Sequence, residues 1–252
     1  MGILVSLIAT ALCAVVYVRM YKRDLPEPIG KGKAALPPLL GLFAPLLSTL
    51  LVVGIAFAVK TLVGVPLREA ISSPLLRSLA NAFLSAALPE ELVKFLVFLI
   101  AAALVKPRNV YEYGMLCAGV GFGFTGLEDA LYGGDGILTA ATRIPFFGLH
   151  MIFQLVMGLH LGLAKYNKKN GLGGVGGHRF LAFFLPILWH TVFDAMTASN
   201  PAIGMDGGAA EALWIVLGLV VLFVSVALQF LLFVRFRKKS GEYCAMPLTD
   251  PA

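Results

Sequence analysis

Seven stretches of this chain, at about 2–18, 35–59, 79–105, 113–132, 144–164, 180–199 and 212–234, are each long and apolar enough to cross a bilayer. Hydrocarbon offers the backbone no water to bond, so each run has to close its own hydrogen bonds as a helix. Composition agrees: 59% of residues are hydrophobic and 13% charged, against about 25% charged in a soluble domain. The expectation is an all-α, polytopic transmembrane bundle of about seven spans in the cell membrane. Residues 1–252 would form a single integral membrane domain, with no stretch left over for a soluble one. Met1 to Val18 lacks a basic leading region and an A-x-A cleavage site, so it reads as a retained first span.

The net charge of +6 would suit anionic partners, but its distribution points elsewhere. Alternate connections, beginning after the first span, carry Arg19, Lys22, Arg23, Lys31 and Lys33, then Lys106 and Arg108, then Lys165, Lys168, Lys169 and Arg179, then Arg235, Arg237, Lys238 and Lys239. These are 15 of the 20 Lys and Arg. The opposite side has Lys60, Arg68, Arg77 and Arg143. The positive-inside rule then puts the N-terminus outside and the C-terminus in the cytoplasm, and reads the basic excess as topology, with no nucleic-acid surface. Cys13, Cys117 and Cys244 are an odd number without CxxC spacing, so no disulfide framework or structural zinc site is expected of them.

Within the third span, Pro89-Glu90-Glu91-Leu92-Val93-Lys94 places two carboxylates and an ammonium in an otherwise uncharged segment. Each charge near a bilayer centre costs about 2.5–3.5 kcal/mol on insertion scales. On a helix Lys94 lies beside Glu90 at i,i+4 and Glu91 at i,i+3, which offsets part of that cost. One acid would have sufficed for a packing ion pair; the second leaves an excess negative charge.

Other spans add ionisable groups. The fourth contains Gly119, Gly121, Gly123 and Gly126, a pattern that lacks the strand a dinucleotide fold requires and instead suits close helix approach through Gly119 and Gly123. It ends in Phe124-Thr-Gly-Leu-Glu128-Asp129. Adjacent helical residues point about 100° apart, so Glu128 is expected to face the interior and Asp129 the interface. The fifth span holds His150 and His160, off each other's stripe, with His160 reading as a packing residue. The sixth has His190-x-x-x-Asp194, one face of a helix, a spacing at which the acid can orient the imidazole or share a metal with it. The second span contains Pro37, Pro38 and Pro45 and should kink. Lys60 to Arg77 reads as amphipathic and interfacial, and the glycine- and lysine-rich stretch from Lys165 to Arg179 as a flexible loop. By the alternation of the chain, Glu90, Glu91, Glu128, His150, His190 and Asp194 fall in the middle or outer half of the bilayer. Four helices thus point to one polar cavity open to the outside.

The series Glu90-Glu91-x-x-Lys94, Phe124-x-x-x-Glu128, His150 and His190-x-x-x-Asp194, with the early Asp24-x-Pro-Glu-Pro, resembles the PrsW family of intramembrane proteases, a relative of the CAAX prenyl proteases and bacteriocin-immunity membrane proteins. The resemblance covers nearly the whole chain. It implies a site-1-type protease of a prokaryotic membrane that cuts a membrane-anchored protein substrate such as an anti-sigma factor. It also implies that Glu90, Glu91, Glu128, His150, His190 and Asp194 are functional. The CAAX relatives carry EExxxR and FxxxH, whereas here Lys94 comes one residue earlier and Glu128 replaces the histidine, which argues against prenyl-protein cleavage.

Independently of that resemblance, peptide hydrolysis needs an activated water and a stabilised oxyanion. Glu90 or Glu91, with Lys94 beside them, is suited to act as general base, and His190 and His150 to donate to the oxyanion or leaving amine. In a zinc version His150, His190 and Glu128 or Asp194 would be ligands, although no HExxH spacing is present. The sequence leaves zinc and metal-free mechanisms both open. A proton- or ion-coupled transporter is the alternative reading, without visible repeat symmetry, and a CAAX-type prenyl-protein endopeptidase the third. A retinal-type photoreceptor is excluded because Leu213 to Val234 contains no lysine.

Overall fold

The computed structural model describes residues 2–23, 27, 29–65, 70–203, 205 and 207–248. The expected Asp24-x-Pro-Glu-Pro motif, Glu27 excepted, and Arg68 and Glu69 of the amphipathic segment lie outside the described residues. The described chain is all-helical; among its residues the single extended pairing is a bridge between Asn109 and Pro247.

Helix α1 spans Gly2–Arg23. The proline-rich second run is broken as its composition predicts. Helix α2, Lys31–Gly41, stops before Leu42 and Phe43, and α3, Ala44–Val63, restarts with Pro45 in its first turn, where a missing N–H costs nothing. The third run is one helical path in three parts: α4, Pro74–Ala82, capped by the Ser73 hydroxyl; a wide π-form turn, Phe83–Ala87; and α5, Leu88–Val105. Pro89 explains the wide turn. It cannot donate to the Ser85 carbonyl four residues back, and its ring crowds that carbonyl, so the turn opens. Helix α5 ends where Lys106 adopts a left-handed φ of 57° just before Pro107, a residue that disfavours continued helix behind it.

Helix α6, Val110–Gly133, is the centre of the bundle and packs against α1, α2, α5 and α8. Its glycines act as expected. A Cβ at Gly123 would collide with the Pro38 carbonyl of α2, and one at Gly121 with the His150 carbonyl of α8, so the backbones touch there. After a short α7, Ile137–Arg143, and one 3-10 turn, come α8, Leu149–Lys169, α9, Val175–Met196, α10, Ala209–Lys238, and a final turn α11, Ser240–Cys244. The expected loop from Lys165 to Arg179 is mostly helix. Only 170–174 turns, with Gly171 and Gly174 at positive φ; Gly176 and Gly177 sit in the first turn of α9, where their helical weakness matters least.

Among the described residues, five segments are long and apolar enough to cross a membrane: Gly2–Lys22, Lys31–Val63, Ile137–Lys169, Val175–Met196 and Ala209–Lys238. The other two expected spans are helical as well, but α5 carries Glu90, Glu91 and Lys94, and α6 carries Glu112, Glu128, Asp129 and its glycines. Apolar side chains of α1, α3 and α10 stay exposed, as on surfaces that meet lipid, while the charges of α5 and α6 turn inward.

Candidate active site

Lys94 organises the centre. Its side chain is fully buried, with Nζ 3.2 Å from Glu90 Oε2, 2.9 Å from Glu91 Oε1 and 2.9 Å from His150 Nδ1. An ammonium has three N–H donors and no acceptor, so each proton has a partner. The Phe124 ring lies under the same ammonium, 3.8 Å from centroid to Nζ, which adds cation–π attraction in a dry environment. Because Lys94 can only donate, His150 accepts at Nδ1 and carries its proton on Nε2, which points at Glu128 Oε2, 2.7 Å away. The ammonium therefore selects the tautomer of a histidine on another helix.

The two adjacent glutamates have different surroundings. Glu91 is sealed: its Oε1 accepts from Lys94 and from His190 Nδ1 at 3.0 Å, and its Oε2 from Gln154 Nε2 at 2.7 Å. Glu90 lines the cavity and retains 15% side-chain exposure. This division follows from helical geometry, since neighbours on one helix point about 100° apart and only one of them can face the opening. His190, held by Glu91 through Nδ1, has Nε2 3.3 Å from Asp194 Oδ2 and 3.8 Å from Glu90 Oε2. Its ring stacks on Phe153 at 5.1 Å and lies 5.4 Å from the His150 ring.

Glu90, Glu128, His150, His190 and Asp194 all line one cavity of about 980 Å³. The rest of its wall includes Ser85 and Ala86 of the π-form turn and, from α10, Ile215, Leu219 and Leu222. All six residues singled out by motif, and Lys94, thus meet in one cluster built by α5, α6, α8 and α9. His160 is elsewhere, paired with His178 through Nδ1 atoms 3.0 Å apart.

One expectation fails: Asp129 is not an interfacial residue. It is 1% exposed, and Arg143 at the end of α7 bonds it through Nε while its Nη2 reaches Glu128 Oε2 at 2.6 Å. A long guanidinium fork joins two carboxylates that point in different directions, which the 100° argument did not allow for. Arg143 itself was weighed only as a topological charge. Gln154 was also missed, although an uncompensated amide one turn after His150 in an apolar run was the available signal.

The donor set suits a metal that displaces a present partner, because both ring nitrogens of His150 are engaged, by Lys94 and by Glu128. Ligand atoms of Glu90, His150 and His190 lie within 4.8 Å of one another, and two imidazoles with one carboxylate are a set that catalytic zinc uses. Glu90 stands in this group where the sequence had offered Glu128 or Asp194; those two instead face the histidines' Nε2 atoms.

A lipid-facing helical bundle that encloses a carboxylate, imidazole and ammonium centre beside a large cavity is a multi-pass integral membrane protein. The comparisons make this specific. Residues 37–229 match the family described as PrsW family intramembrane metalloprotease, and the chain belongs to that family. Among relatives, a protein named Protease PrsW from Geobacillus kaustophilus is 34% identical over 140 residues, covering 54% of this chain and 60% of the relative. Another Protease PrsW, from Halalkalibacterium halodurans, is 30% identical over 122 residues, covering 47% and 54%. The matched stretches thus span little more than half the length of these relatives. No solved structure matches the chain.

Proposed function

We propose that this protein is an intramembrane peptidase that hydrolyses a peptide bond of a membrane-anchored protein, with Glu90 as the carboxylate that handles the attacking water. The observation that carries this reading is the convergence of Glu90, His150, His190 and Asp194, from three helices, on the wall of one 980 Å³ cavity. Glu90, which lines that cavity, takes a proton from water; Glu91, saturated by three donors, is the orienting group. His190 donates at Nδ1 to Glu91, so it serves the developing oxyanion or the leaving amine as the imidazolium, with its Nε2–H beside Asp194 facing the cavity. Lys94 keeps Glu90 and His150 in place, and Glu128 and Asp194 hold the outward ring nitrogens of the two histidines. In the alternative version with zinc, Glu90, His150 and His190 would give up these hydrogen-bonding roles to hold the ion, which would polarise the scissile carbonyl and activate the water.

The substrate is read as a membrane-anchored protein, such as an anti-sigma factor cut at a first site. A cavity whose wall combines ionisable groups with Ile215, Leu219 and Leu222 of a lipid-facing helix suits the boundary of an apolar segment. For the topology we infer seven crossings, with α5 and α6 as the two spans beyond the five apolar ones. Twenty-four residues of α6 extend about 36 Å, enough to span. The N-terminus is then outside and the C-terminus cytoplasmic, which agrees with the tail: Leu248 N bonds Arg108 O and Val110 N bonds Met246 O, so the tail lies beside the basic 106–108 connection.

The test is metal content and cleavage of a set of single-span membrane peptides by the purified chain, wild type beside His190→Ala and Glu90→Gln. Cleavage lost in both variants is the expected result, and about one zinc per chain, lost in His190→Ala, would select the version with zinc. Cleavage that survives in both variants would sink the assignment of the site.

A further inference from the structure

We propose that Gln154 is a positioning residue of the catalytic centre: it holds Glu91 in the orientation that keeps His190 turned with Nε2 toward the cavity. The inference rests on the peptidase reading above and adds a residue to it.

Gln154 is fully buried on α8, one turn beyond His150. Its Nε2 donates to Glu91 Oε2 at 2.7 Å, and its Oε1 accepts from Cys117 Sγ at 3.3 Å. The Cys117 contact matters because an amide can be placed either way round. A thiol donor on α6 at Oε1 leaves Nε2 as the end that meets Glu91. A chain of bonds then runs Cys117, Gln154, Glu91, His190 and links α6, α8, α5 and α9.

The geometry makes the amide necessary. Both other donors to Glu91, Lys94 and His190, approach Oε1, so Gln154 supplies the hydrogen bond to Oε2. Without it a buried carboxylate oxygen is left unpaired, which is costly away from water. The carboxylate relieves that cost by rotating until both oxygens share the Lys94 ammonium. His190 Nδ1 then loses its aligned acceptor, and the ring is free to turn about its own bonds. A residue that merely filled space would serve as well with a thioether as with an amide; Gln154 has a requirement that only a donor meets.

The test uses the full chain in lipid nanodiscs, with Gln154→Met, which keeps length and removes the donor, and Gln154→Leu, which keeps bulk and also removes it. Steady-state cleavage of single-span membrane peptides is measured, with Glu90→Gln as reference. The chain has four histidines, so ¹⁵N-histidine spectra give four ring pairs, assigned for His190 by His190→Ala. We expect kcat to fall ten- to a hundredfold in both variants, KM to stay within twofold, and the His190 ring signals to move while those of His160 and His178 keep their wild-type positions, which reports an intact bundle. A kcat within twofold of wild type in either variant, or a fall in kcat with His190 signals unmoved, overturns the role of Gln154. Cleavage by Glu90→Gln would overturn the peptidase reading of the centre itself, and that arm is independent of the two Gln154 variants.

Discussion

Helices α8 and α9 each carry two histidines, and the two helices bring them together as two pairs at opposite ends. The His150 and His190 rings are 5.4 Å apart and the His160 and His178 rings 5.2 Å apart, so spacing does not distinguish them. Their surroundings do. Around His150 and His190, α5 supplies Glu90, Glu91 and Lys94, α6 supplies Glu128, and α9 itself supplies Asp194. Around His160 and His178 the observed polar contact is between the two rings, and among the described residues no bond or ion pair ties either to a carboxylate. A pair of imidazoles is therefore not enough for a reactive centre. The carboxylates that fix ring orientation and tautomer around His150 and His190 come mostly from other helices, with Asp194 the one supplied by α9 itself.

That contrast can be broken at several points. The largest effect is expected for Glu90→Gln, which removes the cavity-facing carboxylate and should lower kcat/KM about 10²- to 10⁴-fold, measured against membrane peptides with insertion checked by protease protection. If that variant cleaves normally, the difference between the two histidine pairs carries no catalytic meaning. Lys94→Met comes next. It leaves two carboxylates in the protein interior without their shared ammonium, a loss of about 3–5 kcal/mol when one partner of a buried pair is removed, read from the detergent-unfolding midpoint. A midpoint unchanged from wild type would mean that the cluster is wetter than its burial indicates.

Arg143→Ala sharpens the comparison further, because it leaves both histidines and removes the guanidinium that holds Glu128 and Asp129 and lies over the Tyr132 ring. Loss of charge-assisted hydrogen bonds of about 1.5–3 kcal/mol corresponds to a ten- to hundredfold drop in kcat/KM if Glu128 has to be held against His150. An unchanged rate would assign Arg143 to the cavity mouth alone. Ser225→Ala removes the acceptor of Trp189 Nε1, 3.2 Å away, between α9 and α10. It should cost about 1 kcal/mol in stability with cleavage near wild type. At the bottom of the scale, His160→Ala with His178→Ala is expected to change cleavage less than twofold, and a larger loss would show that the second pair is more than packing.

The sequence revealed the participants better than their roles. Charges in apolar runs are costly wherever they lie, so Glu90, Glu91, Lys94, Glu128, His150, His190 and Asp194 stood out without a fold. The helices followed from the same runs, and the break at Gly41 and Ala44 followed from the prolines. What was not legible depends on rotation about helix axes and on reach between helices. Which of Glu90 and Glu91 faces the cavity needs the phase of α5. The capture of both Glu128 and Asp129 by Arg143 depends on a connection folding back over the bundle. Gln154 carries no charge and so gave a weaker signal than its burial now justifies. The turn at 170–174 was overestimated because glycine content alone was read as a loop, whereas two glycines fall within the first helical turn of α9.

The π-form turn at Phe83–Ala87 has one more consequence. A π turn holds one residue more than the α-helical path around it, so it sets the angular offset between α4, which is tied to α9 by the Ser78 hydroxyl and the Ala195 carbonyl, and the acidic face of α5. Removing a single residue there would let the turn tighten to the ordinary α path, which absorbs the deletion, whereas the same deletion within a regular α turn rotates everything beyond it by about 100°. The angular setting of the acidic face of α5 thus depends in part on a stretch, Phe-Leu-Ser-Ala-Ala, that contains no ionisable group.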